Sequence, residues 1–213
     1  TLTALPVAAS YGGTLVWGGG DYLYCSPGNY TNGFYRYQIS SNTWAGSANG
    51  INQCPDLVYY GAASAWGGGD YIYFARGYYT ATFWRYSIAN NLWEVMTAAP
   101  GVFGYGGSLA WAGGDKIYAL GGGYTTSHWS YSQGGDSWTT ETACPSNVYY
   151  GASMCYPGSG NYIFVFPGYS TGFYAFDKSN GSWGVKASAP SQESWGTSLG
   201  YPGSGKYLWA LKG

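Results

Sequence analysis

The chain has 213 residues, of which 21% are aromatic and only 8% are charged, and its formal net charge is −1. Disordered chains combine few aromatic residues with a high net charge, so this composition excludes disorder. The chain has 8 Lys and Arg without a basic cluster, which excludes nucleic acid as the main partner, and no apolar run approaches the roughly 20 residues of a membrane-spanning helix.

Five similar segments, each beginning with an aromatic residue and a glycine, recur along the chain. They are YGGTLVWGGGDYLY (11–24), YGAASAWGGGDYIY (60–73), YGGSLAWAGGDKIY (105–118), YGASMCYPGSGNYIF (150–164) and WGTSLGYPGSGKYLW (195–209). The leading aromatic residues are spaced by 49 residues and then three times by 45. Repeats of about 40 to 50 residues are typical of propeller blades.

Each complete repeat predicts four short strands. The first strand follows the aromatic-Gly pair, and a GGGD or PGSG turn leads to an alternating second strand such as DYLY. A loop leads to a third strand such as FYRYQI, and a polar turn leads to a fourth strand that begins at a Trp. Alternation between glycine-rich turns indicates strands, and no segment has a helical period. The predicted fold is all-β, a five-bladed β-propeller of four-stranded blades.

Aromatic residues follow the second strand of each complete repeat at steps of seven. A loop tyrosine comes first, then a tyrosine or phenylalanine, then a tryptophan. The sets are Tyr30, Tyr37 and Trp44; Tyr79, Tyr86 and Trp93; Tyr124, Tyr131 and Trp138; and Tyr169, Phe176 and Trp183. We expect the second and third members to fill the wedge-shaped gaps between blades, since flat rings lose little side-chain entropy there.

The third repeat resembles the kelch motif. Gly121-Gly122 follows the second strand, and Tyr131 and Trp138 stand seven residues apart. The aromatic pair occurs in all four complete repeats, so the resemblance covers nearly the whole chain, although other tripeptides replace the glycine doublet elsewhere. The resemblance implies a kelch-like β-propeller. Kelch domains more often have six or seven blades, and some five-bladed propellers of similar repeat length are lectins.

We predict a single β-propeller domain over residues 1–213. Its blades cover about 7–50, 51–100, 101–145, 146–190 and, for the incomplete last blade, 191–213 plus 1–6. TLTALP at the N-terminus aligns with VMTAAP (95–100), so we expect an N-terminal strand to close the last blade. The third strand of that blade has three open explanations: the chain continues past Gly213, the blade is reduced, or a neighbouring chain donates the strand.

Four cysteines and two sequons indicate an extracellular or cell-surface protein. Cys25, Cys54, Cys144 and Cys155 form no CxxC pair, so we predict two disulfides. We favour Cys25–Cys54 with Cys144–Cys155 because these are nearest in sequence, and two other pairings stay open. Asn29 and Asn180 fit the N-glycosylation sequon. The chain starts at Thr1 without a signal peptide, which fits a processed protein or an excised piece.

Candidate catalytic groups are few. Asp21, Asp70 and Asp115 occupy equivalent turns about a fifth of the ring apart, too far to pair as glycosidase carboxylates do. We expect them to cap their own GGG-type turns. His128 is the only histidine, has no accompanying Ser or Cys motif, and is expected to face solvent in a loop. We predict no enzymatic activity, no metal site and no cofactor.

Aromatic residues beside glycines and hydroxyls are the candidate binding groups. We expect a loop set and an inner ring to lie on one face, with the inner ring around the channel mouth. The loop set is Tyr30 and Thr31, Tyr79 and Thr80, Tyr124 and Thr125, and Tyr169 and Ser170, and the inner ring is Tyr11, Tyr60, Tyr105, Tyr150 and Trp195. Such rings stack on the C–H faces of sugars while hydroxyls bind sugar hydroxyls. Alternatively, the rings plug the channel and brace the loops.

Two functions follow from these patterns. The first is a non-catalytic extracellular structural module that assembles with copies of itself or with other surface proteins in a surface layer or filament. The alternative is a multivalent carbohydrate-binding lectin that uses the repeated Gly-Tyr-Thr/Ser loops. Low charge and few catalytic groups favour the first function, and the repeated loops favour the second. Neither function involves nucleic acid or membrane insertion.

Overall fold

The computed structural model describes residues 1–192 and 194–213, which form eighteen β-strands and one 3-10 turn at Ser47–Asn49. The strands are β1 (Thr14–Trp17), β2 (Tyr22–Ser26), β3 (Tyr35–Gln38), β4 (Thr43–Ala45), β5 (Ala63–Trp66), β6 (Tyr71–Ala75), β7 (Phe83–Ser87), β8 (Leu92–Val95), β9 (Ser108–Trp111), β10 (Lys116–Leu120), β11 (His128–Ser132), β12 (Ser137–Thr140), β13 (Ser153–Cys155), β14 (Tyr162–Phe166), β15 (Tyr174–Asp177), β16 (Ser182–Val185), β17 (Ser198–Gly200) and β18 (Trp209–Leu211). In this part of the chain, no helix has the length and apolar character needed to cross a bilayer.

The strands form five antiparallel sheets that follow one another along the chain. Blades one to four are β1–β4, β5–β8, β9–β12 and β13–β16, each with its strands in chain order, and blade five is the two-stranded sheet β17–β18. The first strands of successive blades contact one another, which places them at the centre of the molecule. The all-β, five-bladed propeller predicted from the sequence is therefore confirmed.

A recurring triad of rings fills the gap between neighbouring blades. Phe83 of blade two lies 4.8 Å, centroid to centroid, from both Tyr131 and Trp138 of blade three. Blades one and two use Phe34, Tyr86 and Trp93, and blades three and four use His128, Phe176 and Trp183. The triads pack into separate clusters of buried residues between the blades. The second and third aromatic residues of repeats two to four thus pack between blades, as expected, whereas Tyr37 and Trp44 of repeat one pack on each other.

The tyrosine and tryptophan of a triad also fix the linker that precedes their blade. Tyr131 Oη donates to Asp136 Oδ1 at 2.7 Å, and the same carboxylate oxygen accepts from the backbone N–H of Thr97 at 2.9 Å. Trp138 Nε1 donates to the carbonyl oxygen of Thr97 at 2.9 Å. Equivalent bonds join Tyr86, Asn91, Trp93 and Asn52, and Tyr37, Asn42, Trp44 and Thr3. In blades one to three, the second and third aromatic residues of the set therefore bind the linker in addition to their packing contacts.

The N-terminal segment differs from the prediction. Residues 1–6 form no strand, and the sheet β17–β18 has no third strand among the described residues. Thr3 instead binds Asn42 and Trp44 of blade one through the bonds by which the later linkers bind their blades. TLTALP is therefore a linker onto blade one, because its alignment with 95–100 extends past the fourth strand into the linker.

The four cysteines are buried free thiols, so the structure forms neither predicted disulfide. Cys25 lines a gap on one side of blade one beside Trp44, whereas Cys54 packs on the other side, against blade two. Cys144 and Cys155 likewise belong to clusters on opposite sides of blade four. The pairing predicted from proximity in sequence is wrong because the two cysteines of each predicted pair lie on opposite faces of one blade. Burial raises the pKa of the Cys25 and Cys155 thiols to about 11.

Candidate functional site

One face of the propeller carries a continuous network of aromatic rings, which we call the tyrosine face. Both predicted sets lie on it. Tyr60 of the inner ring contacts loop residue Tyr79 at a centroid distance of 5.8 Å. Tyr149 contacts inner-ring Tyr150 at 3.9 Å and loop residue Tyr124 at 5.5 Å. The other members of the tyrosine face are Tyr11, Tyr30, Tyr59, Tyr78, Tyr105, Tyr169 and Trp195. Sequence reasoning missed Tyr59, Tyr78 and Tyr149, although two of them precede an inner-ring tyrosine directly.

The inner ring surrounds a cavity of about 430 Å³ at the centre of the tyrosine face. Tyr60 and Tyr105 stack at 4.1 Å, and Tyr150 and Trp195 stack at 3.6 Å. Tyr11 meets Trp195 edge-on at 5.4 Å. Because these rings pack on one another, they brace the mouth of the channel as well as lining the cavity.

In the first four repeats, the glycine after the inner-ring residue lets the blades approach closely at this cavity. A Cβ atom on Gly61 would lie 2.2 Å from the carbonyl oxygen of Gly104, and one on Gly106 would lie 2.0 Å from that of Tyr149. Both glycines also have a left-handed backbone, with φ of 80° and 87°. Contact and conformation together exclude a side chain at these two positions, and in the fifth repeat the left-handed φ of 79° at Gly196 also favours glycine.

The loop tyrosines project into solvent from a left-handed backbone. Tyr30, Tyr79 and Tyr124 have φ of 59°, 53° and 66°, a conformation that costs a residue with a side chain roughly 1–2 kcal/mol. They are 50%, 44% and 63% exposed, respectively. Within residues 1–192 and 194–213, no group forms a hydrogen bond with their hydroxyls. Strain combined with an exposed, unbonded side chain is typical of a functional site.

The hydroxyls beside the loop tyrosines have partners inside the loop. In blades one to three, the threonine hydroxyl donates to the carbonyl oxygen of a glycine three residues earlier, always at 2.8 Å. The pairs are Thr31 with Gly28, Thr80 with Gly77, and Thr125 with Gly122. In blade four, Ser170 Oγ accepts from the N–H of Gly172 at 2.9 Å, and Tyr169 has φ of 47°. These hydroxyls hold the turn, and their oxygen atoms keep acceptor capacity towards a ligand.

His128 is buried, so the prediction that it faces solvent is wrong. It begins strand β11, is 1% exposed, and occupies the triad position that Phe83 holds in blade two. Its Nδ1 binds the carbonyl oxygen of Thr142 at 3.0 Å, and its Nε2 is buried without a partner in the described part of the chain. Burial lowers its pKa. The signal was available, because Phe83 precedes Tyr86 by the same three residues that separate His128 from Tyr131.

The three turn aspartates have a structural role that differs from the predicted one. Asp21 accepts from the N–H and the hydroxyl of Ser40 at 2.9 and 2.5 Å, so it binds the turn between the third and fourth strands rather than its own GGG turn. Asp70 and Asp115 do the same in blades two and three. The hydrogen bonds from Ser40 and Ser132 lower the pKa of Asp21 and Asp115. No set of three His, Cys, Asp or Glu residues placed to hold a metal occurs in 1–192 or 194–213.

Both predicted glycosylation asparagines lie at the surface. Asn29 has a left-handed backbone with φ of 57° and directly precedes Tyr30 on the tyrosine face. Asn180 lies in the turn between β15 and β16, where its Oδ1 accepts from the N–H and the hydroxyl of Ser182 at 3.0 and 2.7 Å. A glycan on Asn29 would therefore stand beside the tyrosine face, and one on Asn180 would stand at a turn of blade four.

Comparison with known proteins supports the fold. No protein-family model and no curated protein matches the chain. Among solved structures, it is similar to one titled "Structure of YjhT", with a TM-score of 0.73 and 16% sequence identity. The match covers 93% of this chain and 71% of that chain. At this identity the likeness shows a shared β-propeller-like fold alone, and the kelch relationship stays a resemblance.

Proposed function

We propose that this protein is a non-catalytic, extracellular or cell-surface binding module whose tyrosine face takes an uncharged carbohydrate. The observation that carries the proposal is the loop tyrosine of blades one to three. Tyr30, Tyr79 and Tyr124 are held in a strained backbone, expose their rings, and have hydroxyls that form no hydrogen bond with the described residues. An exposed aromatic ring with a free polar group suits a sugar, which has both apolar C–H faces and hydroxyls.

The charges near the tyrosine face favour a neutral ligand. Arg76 directly precedes the loop that carries Tyr79, and its guanidinium forms a 3.0 Å ion pair with Asp56. Arg76 Nε also donates to the carbonyl oxygen of Leu57 at 2.9 Å. Because these charges are already paired, an anionic or cationic ligand gains little here.

The repetition of the loops favours a ligand with repeating units. Tyr30, Tyr79 and Tyr124 stand on consecutive blades and have the same backbone conformation. Three weak sites on one rigid scaffold bind a polysaccharide more tightly than a monosaccharide. Once the first site has bound one unit of the polysaccharide, the other two sites bind further units within the same complex.

Titration with neutral oligosaccharides of increasing length tests this proposal through tyrosine and tryptophan fluorescence, after a glycan array has chosen the sugar. We expect saturable binding that tightens with chain length and depends little on salt. The matched control is Tyr162→Ala, since Tyr162 is 45% exposed at the start of β14, away from the tyrosine loops. A flat response to every neutral glycan, or an equal loss of binding in the control variant, would refute the proposal.

A second proposal is that the protein assembles with copies of itself or with other surface proteins in a layer or filament. The outer strand of blade five supports it, because Trp209 and Leu211 of β18 are 66% and 71% exposed. An exposed apolar edge strand is a template for pairing with another chain. Light scattering and electron microscopy at high protein concentration test it. Ordered assemblies are expected, and a strictly monomeric protein would contradict it.

A further inference from the structure

The central channel has a second mouth, at the end opposite the tyrosine face, which we call the tryptophan mouth. The first strand of each blade runs from its aromatic-Gly pair on the tyrosine face to a second aromatic residue six positions later. The proposed carbohydrate site uses none of these second residues. They ring the tryptophan mouth and are Trp17, Trp66, Trp111, Tyr156 and Tyr201.

A cavity of about 500 Å³ opens at the tryptophan mouth, between the first strands of blades two to five. This volume lies in the range of small-molecule sites, roughly 300–1,000 Å³. Aromatic residues form its rim and mainly apolar residues form its wall. The rim has Trp66, Trp111, Tyr156 and Tyr201, and the wall includes Ser64, Leu109, Met154 and Leu199.

The rings of the rim are held in place by their own polar atoms. Trp66 Nε1 donates to the carbonyl oxygen of Gly69 at 3.1 Å, and Trp111 Nε1 donates to that of Gly114 at 3.0 Å. The hydroxyls of the two rim tyrosines bind a glycine of their own turn in the same way. Trp66 and Trp111 also contact each other at a centroid distance of 5.5 Å. The rim therefore presents preorganised apolar ring surface, which loses little entropy when a ligand binds.

The charges at the tryptophan mouth favour a neutral ligand. Among the residues that the structure describes, no charged side chain lines the cavity. Lys178 lies beside the rim with Nζ over the ring of Tyr156, and this ammonium group already donates to the carbonyl oxygen of Ala112 at 2.6 Å. An ion would lose its hydration in the cavity without gaining a free counter-charge.

The wall also presents backbone polar groups, because each first strand pairs with a second strand on one side only. In β5, Ala63 and Ala65 direct their N–H and C=O groups towards β6, so those of Ser64 point into the channel. Leu109 in β9 and Met154 in β13 hold the same position as Ser64. Backbone groups at this position can therefore bind a ligand in the channel.

The N–H group of Leu109 is unused, whereas its equivalents in later blades have partners. Met154 N–H donates to Ser108 Oγ of the preceding blade at 3.1 Å, and the same bond joins blades four and five. Leu109 has no such acceptor, because Ala63 stands where Ser108 stands one blade later. In residues 1–192 and 194–213, no group accepts from Leu109 N–H on the channel side.

A second polar group of the wall also has no partner. Ser64 stands where the other four blades have leucine or methionine. Its Oγ is buried, and no group in the described part of the chain bonds to it. Because buried hydroxyls normally form hydrogen bonds, blades two and three have polar groups that the fold itself does not use.

We propose that the tryptophan mouth binds a small, neutral aromatic compound that carries a carbonyl group. The aromatic part packs on Trp66 and Trp111, and the carbonyl oxygen accepts from the N–H of Leu109. The N–H group can only donate, so the ligand must bring an acceptor, and the indole rings provide the apolar contact. The site is separate from the tyrosine face and goes beyond the proposed carbohydrate binding.

The probes are acetophenone and ethylbenzene, which have the same shape and differ in the carbonyl oxygen. Amide NMR titrations of the isotope-labelled full chain measure both affinities and show which N–H groups respond. We expect acetophenone to bind one site with a Kd of about 0.1–1 mM and to shift the N–H signal of Leu109. Ethylbenzene should bind about tenfold more weakly, because it forms no hydrogen bond. No binding of acetophenone, equal affinities, or an unmoved Leu109 signal would overturn the proposal.

Ala63→Ser tests the hydrogen bond. It places a hydroxyl where Ser108 has one, and this hydroxyl should accept from the N–H of Leu109 as Ser108 accepts from Met154. We expect acetophenone to bind about tenfold more weakly and ethylbenzene to bind as before. An unchanged preference for acetophenone in a folded variant would contradict the assigned contact.

Trp111→Leu tests the aromatic contact independently of that bond. It removes one ring of the rim and should weaken the binding of both probes about tenfold. The control is Trp209→Ala, since Trp209 is 66% exposed on β18 and does not line the cavity, and it should leave both affinities unchanged. Equal effects of the two variants would place the probes elsewhere and refute the site.

A competition experiment separates this site from the tyrosine face. A saturating neutral oligosaccharide should leave the affinity for acetophenone unchanged, because the two ligands bind at opposite ends of the channel. If the oligosaccharide displaces acetophenone, both ligands share the tyrosine face and the tryptophan mouth is not the site. If acetophenone binds as expected and no glycan binds, the tryptophan mouth stands and the carbohydrate proposal falls.

Discussion

Tyr124 and Tyr131 lie seven residues apart in blade three, yet they have opposite surroundings. Tyr131 is fully buried between two blades, and its hydroxyl donates to Asp136 at 2.7 Å. Tyr124 is 63% exposed in a left-handed backbone, and no described group binds its hydroxyl. Packing therefore accounts for the first tyrosine completely. It does not account for the second, whose conformation is costly and whose ring adds little to the core.

The largest expected effect comes from removing a ring that packs between two blades. Trp138→Ala deletes the indole between blades two and three and its hydrogen bond to Thr97, which should cost about 3–5 kcal/mol of unfolding free energy. Trp209→Ala is the control, because Trp209 is 66% exposed and its loss should cost less than about 0.5 kcal/mol. Urea denaturation compares the two. Similar losses would show that the triad does not carry the stability.

His128 provides the next test, since it puts a polar ring where blade two has Phe83. His128→Phe removes the buried Nε2, which has no partner in residues 1–192 and 194–213, and should stabilise the protein by about 1 kcal/mol at pH 7. The carbonyl oxygen of Thr142 keeps its bond from Trp183 Nε1 at 3.0 Å, so the change leaves no new orphan.

The same substitution should change the pH dependence of stability. Burial lowers the pKa of His128 in the folded state, so below about pH 6.5 the unfolded state binds a proton that the folded state does not. The contribution of neutral His128 to the free energy of unfolding is therefore present above about pH 6.5 and is lost as the pH falls towards the pKa of His128 in the folded state. Urea titrations from pH 8 to 5 should show this loss in the native protein and a smaller loss in His128→Phe. Parallel curves would exclude His128 as the cause.

A smaller effect on stability is expected from removing the hydroxyl of buried Tyr131 or of exposed Tyr124. Tyr131→Phe deletes the bond to Asp136 and should cost about 1 kcal/mol. Tyr124→Phe deletes a hydroxyl that no described residue binds and should change stability by less than about 0.5 kcal/mol. Thermal unfolding of both variants measures the difference. Equal changes in stability would contradict the conclusion that the hydroxyl of Tyr131 has a structural role and that of Tyr124 has none.

Much of the fold could be predicted because the repeated sequence pattern marks each blade. The aromatic-Gly pairs, the glycine turns and the Tyr37 and Trp44 series mark the blades and the gaps between them. The features that could not be predicted depend on which side of a blade a residue faces. Cys25 and Cys54 are near in sequence but lie on opposite sides of blade one. The expectation that His128 lies in a solvent-facing loop is wrong for the same reason, because a polar residue stands where blade two has the buried Phe83.

The candidate site was predicted only in part. Sequence placed the inner ring and the loop tyrosines on one face, since equivalent positions of a repeat lie on the same side of a propeller. It did not predict that Thr31 and its equivalents bind their own loops, because a donated hydrogen bond to Gly28 depends on the turn geometry. Nor did it predict the left-handed backbone of Tyr79, which glycine or asparagine would adopt more easily.

The central claim is that the loop tyrosines bind a ligand rather than brace the protein. The most direct test is the double variant Tyr79→Asn and Tyr124→Asn, because asparagine tolerates the left-handed backbone and already stands at Asn29 with φ of 57°. Affinity for the neutral oligosaccharide and unfolding free energy are measured on the same samples. We predict that binding is lost while stability changes by less than about 0.5 kcal/mol. Unchanged binding, or a large loss of stability, would contradict the account.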